Sequence, residues 1–209
     1  MTRGGTHKGA PVGLVVEGDA EFHAFRRLSG RDLPPIKVIN LGGVGGDSDA
    51  AAIARRAHKK VHELSLAGIQ RVVVCVDRER RNDCPPSLAA AVRHHLLALL
   101  KDKPGATADL HVVIADRTFE HWILAGADSL ARAGKFSKRP AFKCFEGKLG
   151  RENALGGKEL SLLMGGRAYH KTTDGPDLFC AMDLTVARDS GPGRRGSRSL
   201  DKLLRSIGV

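Results

Sequence analysis

Carboxylates recur in this 209-residue chain at one kind of place, directly after short β-branched runs. Gly13–Val16 leads into Glu17-Gly18-Asp19-Ala20-Glu21, and Arg71–Val76 leads into Asp77-Arg78-Glu79. Leu110–Ala115 leads into Asp116, with Glu120 following shortly after. Carboxylates gathered in one spot repel and raise one another's pKa unless a cation neutralises them. Their hard oxygen atoms suit Mg²⁺ or Mn²⁺. Taken singly, Asp19 or Asp116 reads equally as a helix cap or a solvated turn acid. For Glu17, Asp77 and Glu79 together, a divalent-ion site is the better reading.

Such a site requires the runs to be neighbouring strands. Between them lie helical stretches: Ala20–Leu28, with Phe22, Phe25 and Leu28 on one face, and a long helix ending at Leu66 and capped by Asp47 or Ser48. A third helix is opened by Pro85 and Pro86 and runs to Leu100, since Pro is tolerated in a first helical turn. A fourth covers Phe119–Leu130. With Ile36–Leu41 as the second strand, the order is β-α-β-α-β-α-β-α, which predicts an α/β fold with a parallel sheet and helices on both faces. Right-handed crossovers put every strand's carboxyl end on one edge, where open α/β sheets bind ligands. Beyond residue 130 the alternation decays. Gly, Lys and Arg dominate Gly134–Arg151, a short apolar helix is expected over Glu159–Met164, and Arg167–Met182 reads as ordered. Asp189–Arg198 reads as a loop and Leu200–Ile207 as a final helix. No internal repeat is present.

The chain carries 34 Lys and Arg against 23 Asp and Glu, a formal net charge of +11. Residues 130–209 hold 16 basic and 8 acidic side chains, whereas residues 1–129 hold 18 and 15. That balance favours a polyanionic partner, nucleic acid before an anionic membrane. Arg78, Arg80 and Arg81 beside Asp77, and Arg194, Arg195 and Arg198 in the Gly/Ser loop, are candidate phosphate contacts, with solvated surface charge as the alternative. Aromatic residues make up only 4 %, too few for a stacking platform, and Trp122 sits among apolar helix positions that read as core. No apolar run approaches the ~18–20 residues needed to span a bilayer. The stretch Val12–Val16 is too short for a secretory leader, so the expected compartment is the cytoplasm. Cys75, Cys84, Cys144 and Cys180 form neither a CxxC pair nor a disulfide framework.

Several tempting motifs fail. Gly42–Gly46 lacks the Gly-Lys-Ser/Thr of a P-loop and follows the second strand, so ATP binding by this chain is not expected. His58 and His62 have i, i+4 spacing, but Lys59 stands where a metalloprotease places Glu. There is no Gly-x-Ser-x-Gly elbow.

Over residues 11–128 the pattern of strand-Glu-Gly and strand-Asp-x-Asp/Glu resembles the Toprim domain. This domain is shared by topoisomerases, bacterial primases, OLD-family nucleases and small stand-alone nucleases. Four blocks look most like the OLD-like nuclease branch and the stand-alone domain-of-unknown-function family 4276. They are the Glu17–Glu21 turn, the Gly42–Gly46 turn, Phe119-Glu120-His121-Trp122-Ile123-Leu124-Ala125, and Tyr169-His170-Lys171-Thr172-Thr173-Asp174-Gly175. The resemblance implies a Toprim catalytic domain over residues 10–130 and a basic, helical or irregular extension over 131–209 that carries Lys171. It implies one metal site from Glu17, Asp77 and Glu79, and a second to which Glu21 and Glu120 contribute. Lys171 would face the scissile phosphate, making Glu17, Asp77 and Lys171 the catalytic residues. The implied activity is two-metal hydrolysis of DNA or RNA phosphodiesters with Mg²⁺ or Mn²⁺, in phage or mobile-element defence, beside an ATPase partner and with a homodimer among the possible assemblies. The commoner third-strand motif is Asp-x-Asp; with Asp77-Arg78-Glu79 here, Asp77 is the firmer ligand. Topoisomerase activity is rejected, since it needs a nucleophilic Tyr on further domains and Tyr169 is the sole tyrosine. Two alternatives stay open: a structured-RNA processing nuclease of the 5S ribosomal RNA maturation type, and a non-catalytic nucleic-acid-binding subunit.

Overall fold

The computed structural model describes residues 12–79, 81–104, 109–137, 156–190 and 196–209. Arg80, Arg194, Arg195, Cys144 and most of the Gly134–Arg151 stretch lie outside the described residues. Strands β1 (Val12–Val16), β2 (Ile36–Asn40), β3 (Arg71–Asp77) and β4 (Asp109–Ala115) form one parallel sheet in the order β2-β1-β3-β4. Helices α1 (Asp19–Leu28), α2 (Ala50–Leu66) and α3 (Pro85–Leu100) make the crossovers. This is the α/β, Rossmann-like arrangement that the alternation predicts. Val16 stands opposite Cys75, and Asp77 opposite Ala115, so Glu17, Asp77 and Asp116 all emerge at the same carboxyl edge.

The pleat sends alternate residues to two cores. On one face Val15, Val72, Val74, Val76, Val112 and Ile114 pack against Ile53, Ala57, Val61 and Leu64 of α2 and Val92 and Leu96 of α3. On the other, Leu14, Val16, Val73, Cys75, Val113 and Ala115 meet Phe25 of α1 and Trp122 of α4 (Phe119–Ala125). Burial of each such aliphatic side chain is worth about 1.5–3 kcal/mol. After α5 (Ala127–Arg132) come α6 (Gly156–Leu163), α7 (Asp174–Ala181), α8 (Leu184–Arg188) and α9 (Arg198–Ser206). Leu160, Phe179, Ala187, Leu200 and Leu204 from these last helices enter the same core as Phe25 and Trp122. Residues far along the chain therefore cover the sheet face that leads to the acids.

Local departures from expectation have physical causes. The helix expected over Phe119–Leu130 breaks at Gly126, where a Cβ would stand 2.7 Å from Met182 Sδ. Asp49, rather than Asp47 or Ser48, caps α2, its carboxylate accepting from Ala52 N at 2.7 Å. The final helix starts at Arg198 because Ser197 accepts from Leu200 N at 3.0 Å and caps it there. Among the described residues no helix is long and apolar enough to cross a membrane.

Candidate functional site

Glu17 follows β1 and points across the sheet edge. Its Oε2 accepts from the backbone N–H of Asp77 at 2.9 Å, and its Oε1 accepts from Val44 N at 3.1 Å. One buried carboxylate thus ties β1 to the end of β3 and to the loop after β2. Burial pushes the Glu17 carboxyl above its ordinary value, the two backbone N–H groups oppose that, and nearby Glu79 adds to it. Arg81 makes a matching tie from the other direction. Its Nη1 donates to Asp77 O at 2.7 Å, its Nη2 to Gly45 O at 2.7 Å and its Nε to Ser48 O at 2.8 Å. A guanidinium so engaged and so buried holds the Gly42–Gly46 loop against β3.

The remaining acids converge differently. Glu21 lies one turn into α1 and is buried, with Oε2 lacking any hydrogen-bond partner. Burial raises its carboxyl; Lys171 works against this, and Glu120 and Glu17 reinforce it. Asp77, the last residue of β3, has its carboxyl pushed well up by burial and by Glu21, with Glu17 and Glu120 adding and Lys171 opposing. Glu120 sits in the first turn of α4, where Tyr169 Oη donates to its Oε1 at 3.4 Å and Lys171 Nζ lies 3.9 Å away. Partial desolvation disfavours the Lys171 ammonium, whose side chain is 47 % exposed, but Glu120, Asp77, Glu21 and Glu17 together hold it charged well above the ordinary lysine range. Tyr169 is kept neutral by burial and by the adjacent Glu120.

The chain segment that carries Lys171 is pinned locally. Arg167 pairs with Asp174 through both guanidinium nitrogens, at 2.9 and 3.2 Å, and Asp174 Oδ2 accepts from His170 N at 2.8 Å. Tyr169 N donates to Ser161 Oγ of α6 at 2.9 Å. In the sequence Tyr169 is named only as the first residue of the Tyr169–Gly175 block, and its contact with Glu120 is set by packing. The buried Cys75 thiol is pushed far up by burial and by Asp77, Glu21 and Glu17, which makes it a poor nucleophile.

The other candidates lie around this centre. Glu79 has a left-handed backbone (φ 49°), with its N–H donating to Arg117 O at 2.8 Å, and its carboxylate crosses Gly46, where any Cβ would collide with it. Asp116 turns away from the acid cluster and meets Arg78 Nη2 at 2.8 Å. Its own backbone N–H donates to Ser199 Oγ at 3.2 Å, which also accepts from Trp122 Nε1 at 2.9 Å, so Trp122 is core. Arg198 opens α9 on that same side.

The oxygen donors suit a hard divalent cation, and the buried, partnerless Glu21 Oε2 is the kind of atom such an ion would satisfy. Among the described residues, however, no group of three or more Asp, Glu, His or Cys side chains is placed to hold a metal ion. No family model, curated protein or solved structure matches the chain.

Proposed function

We propose that this chain is a divalent-metal-dependent nuclease of the Toprim type that hydrolyses nucleic-acid phosphodiesters with Mg²⁺ or Mn²⁺. The observation that carries the reading is the convergence of the buried acids Glu17, Glu21, Asp77 and Glu120 on the half-exposed Lys171. The Glu17, Glu21 and Asp77 carboxyls are raised by burial and by neighbouring acids, and perturbed acids of this kind concentrate at functional sites. Glu21, Asp77 and Glu120 would hold an ion, with Glu17 and Glu79 at the adjoining rim. When bound, a pair of such ions stabilises the attacking and leaving oxygens of an in-line phosphoryl displacement.

The chain's own residues have separable tasks. Lys171 places a fixed positive charge beside the acids, where it would offset charge developing on phosphoryl oxygens. Tyr169 orients Glu120 through its hydroxyl, and Glu17 positions Asp77 through the backbone of β3. Basic residues such as Arg198 would neutralise flanking phosphates, giving binding that falls steeply with salt. Action in phage or mobile-element defence beside an ATPase partner, in the cytoplasm, belongs to this proposal by family resemblance.

The test is cleavage of supercoiled plasmid, labelled single-stranded RNA and structured RNA in Mg²⁺, Mn²⁺ or EDTA. The proposal expects metal-dependent cutting that Asp77→Ala abolishes; cutting by Asp77→Ala at the wild-type rate would overturn it. Preference for structured RNA over plasmid would select the RNA-processing form of the activity. The Asp77-Arg78-Glu79 departure from Asp-x-Asp motivates a second reading, a non-catalytic nucleic-acid-binding subunit. Tight, salt-sensitive binding with no cleavage and no calorimetric Mn²⁺ signal would select it.

A further inference from the structure

The outward face of α2 is charged unevenly along its length. Ile53, Ala54, Ala57, Val61 and Leu64 turn into the core, which leaves Arg55, Arg56 and Lys59 exposed on one stripe over the first half of the helix. Arg55 and Lys59 are about one turn apart, roughly 6 Å along the axis. Neither side chain has an acidic partner among the described residues, whereas farther along Lys60 pairs with Glu63 at 3.3 Å. The Asp49 carboxylate is engaged as the cap of α2, and Asp47 is the other exposed acid of this stretch.

This end of α2 meets the Gly42–Gly46 loop at the carboxyl edge of the sheet. Between them opens a cavity of about 430 Å³, lined by residues 43–45, Ser48, Ala52, Arg55 and Arg56, with no acid among its lining residues. Arg56 Nη2 donates to Gly42 O at 3.0 Å, which holds that guanidinium at the loop, while the Arg55 guanidinium is free to take an anion. Gly43 has a left-handed backbone (φ 76°) with open space where a Cβ would stand, so this wall is bare main chain that an anion can approach closely. The same loop touches the acid site. Gly43 N donates to Glu17 O at 2.8 Å, and Glu17 Oε1 accepts from Val44 N while its Oε2 accepts from Asp77 N. Cations in a row that lead up to such a loop are matched by a row of anions, and the backbone of a nucleic-acid strand is one.

We infer that α2 is the track on which a nucleic-acid strand leaves the acids, with one phosphate in the cavity on Arg55 and Arg56 and a neighbouring phosphate on Lys59. The inference deepens the nuclease reading and rests on it for the direction of the strand alone. The phosphate contacts need neither metal nor cleavage, because no carboxylate of the acid cluster lines the cavity.

The experiment is titration of the full chain onto short labelled single strands of DNA and RNA and onto duplex DNA, in EDTA, with affinity read by fluorescence anisotropy over a series of salt concentrations. Each phosphate contact contributes about 0.7 (single strand) to 0.9 (duplex) to the slope of log affinity against log salt. Arg55→Ala/Lys59→Ala removes two contacts, and is expected to weaken binding about tenfold or more and to flatten the slope by about 1.4–1.8 on the ligand bound most tightly. Lys37→Ala/Lys103→Ala removes the same charge from exposed positions on β2 and beyond the far end of α3, and is expected to leave the slope unchanged. Both doubles should melt like the wild type, since all four side chains are exposed and unpaired among the described residues. No nucleic-acid binding by the wild type, an unchanged slope in Arg55→Ala/Lys59→Ala, or an equal change in both doubles overturns the inference. Binding to phosphatidylserine vesicles that only the α2 double loses, with its nucleic-acid slope unchanged, assigns the stripe to a membrane and also overturns it. EDTA suppresses metal chemistry, so failed cleavage in Mn²⁺ beside the expected slopes counts against the nuclease reading alone.

Discussion

Two groups of buried charges lie within a few residues of each other at the carboxyl edge, and they are treated in opposite ways. Around the Gly42–Gly46 loop, Glu17 accepts from two backbone N–H groups and Arg81 donates to backbone carbonyls of Asp77, Gly45 and Ser48. Across β3, Glu21, Asp77 and Glu120 face one another and Lys171, and one oxygen of Glu21 has no partner. A buried charge with backbone partners builds architecture. A buried charge facing like charges weakens the fold and is retained where ionisation serves a ligand.

Substitutions sharpen that contrast. The largest effect is expected for Arg81→Ala, which strands several buried carbonyls at once and should lower unfolding stability by about 3–5 kcal/mol in a denaturant titration. Glu17→Gln turns one acceptor into a donor facing a backbone N–H, and should cost about 1–3 kcal/mol by the same measurement.

Asp77→Asn should act in the reverse direction. Burial and neighbouring acids raise the Asp77 carboxyl in the native state, so over the pH range above its ordinary value the folded chain keeps a proton that the unfolded chain has lost. Stability therefore falls as pH rises through that range, and the substitution removes the loss. The variant is expected to melt about 2–4 °C above the wild type at neutral pH, corresponding to about 1 kcal/mol, with the advantage gone below about pH 4. Cleavage should be lost in the same protein. An Asp77→Asn variant that melts below the wild type at neutral pH would dissolve the distinction between the two groups.

The smallest stability effect belongs to Gly18→Ala. A Cβ there would stand 3.0 Å from Glu21 Oε2, the movable end of a side chain, and Gly18 has an extended backbone that alanine adopts freely. Stability should stay within about 0.5 kcal/mol. Metal-dependent activity should fall because the Glu21 carboxylate is displaced.

The sheet and its acids were legible in sequence because β1, β3 and β4 are apolar runs that lead into a carboxylate, and a parallel sheet brings such ends to one edge. The α2 and α3 helices were equally legible, their apolar spacing being local. What sequence did not disclose is which buried charges are already engaged. Arg81 reads as a phosphate contact beside Asp77, yet its donors reach carbonyls in a loop more than thirty residues away in the chain. The helix break at Gly126 depends on Met182, and the placement of Tyr169 against Glu120 depends on α6 docking into the core. Those features follow from tertiary packing, which spacing alone does not encode. Lys171 was found through a motif resemblance, and its neighbours Glu120 and Tyr169 give that residue a physical setting.

The most direct measurement is the melting temperature of the wild type and of Asp77→Asn, each with millimolar Mn²⁺ and with EDTA. A cation held by the clustered acids should raise the wild type by several degrees and leave the variant unmoved. An equal response in both proteins, or none in the wild type, would contradict the account.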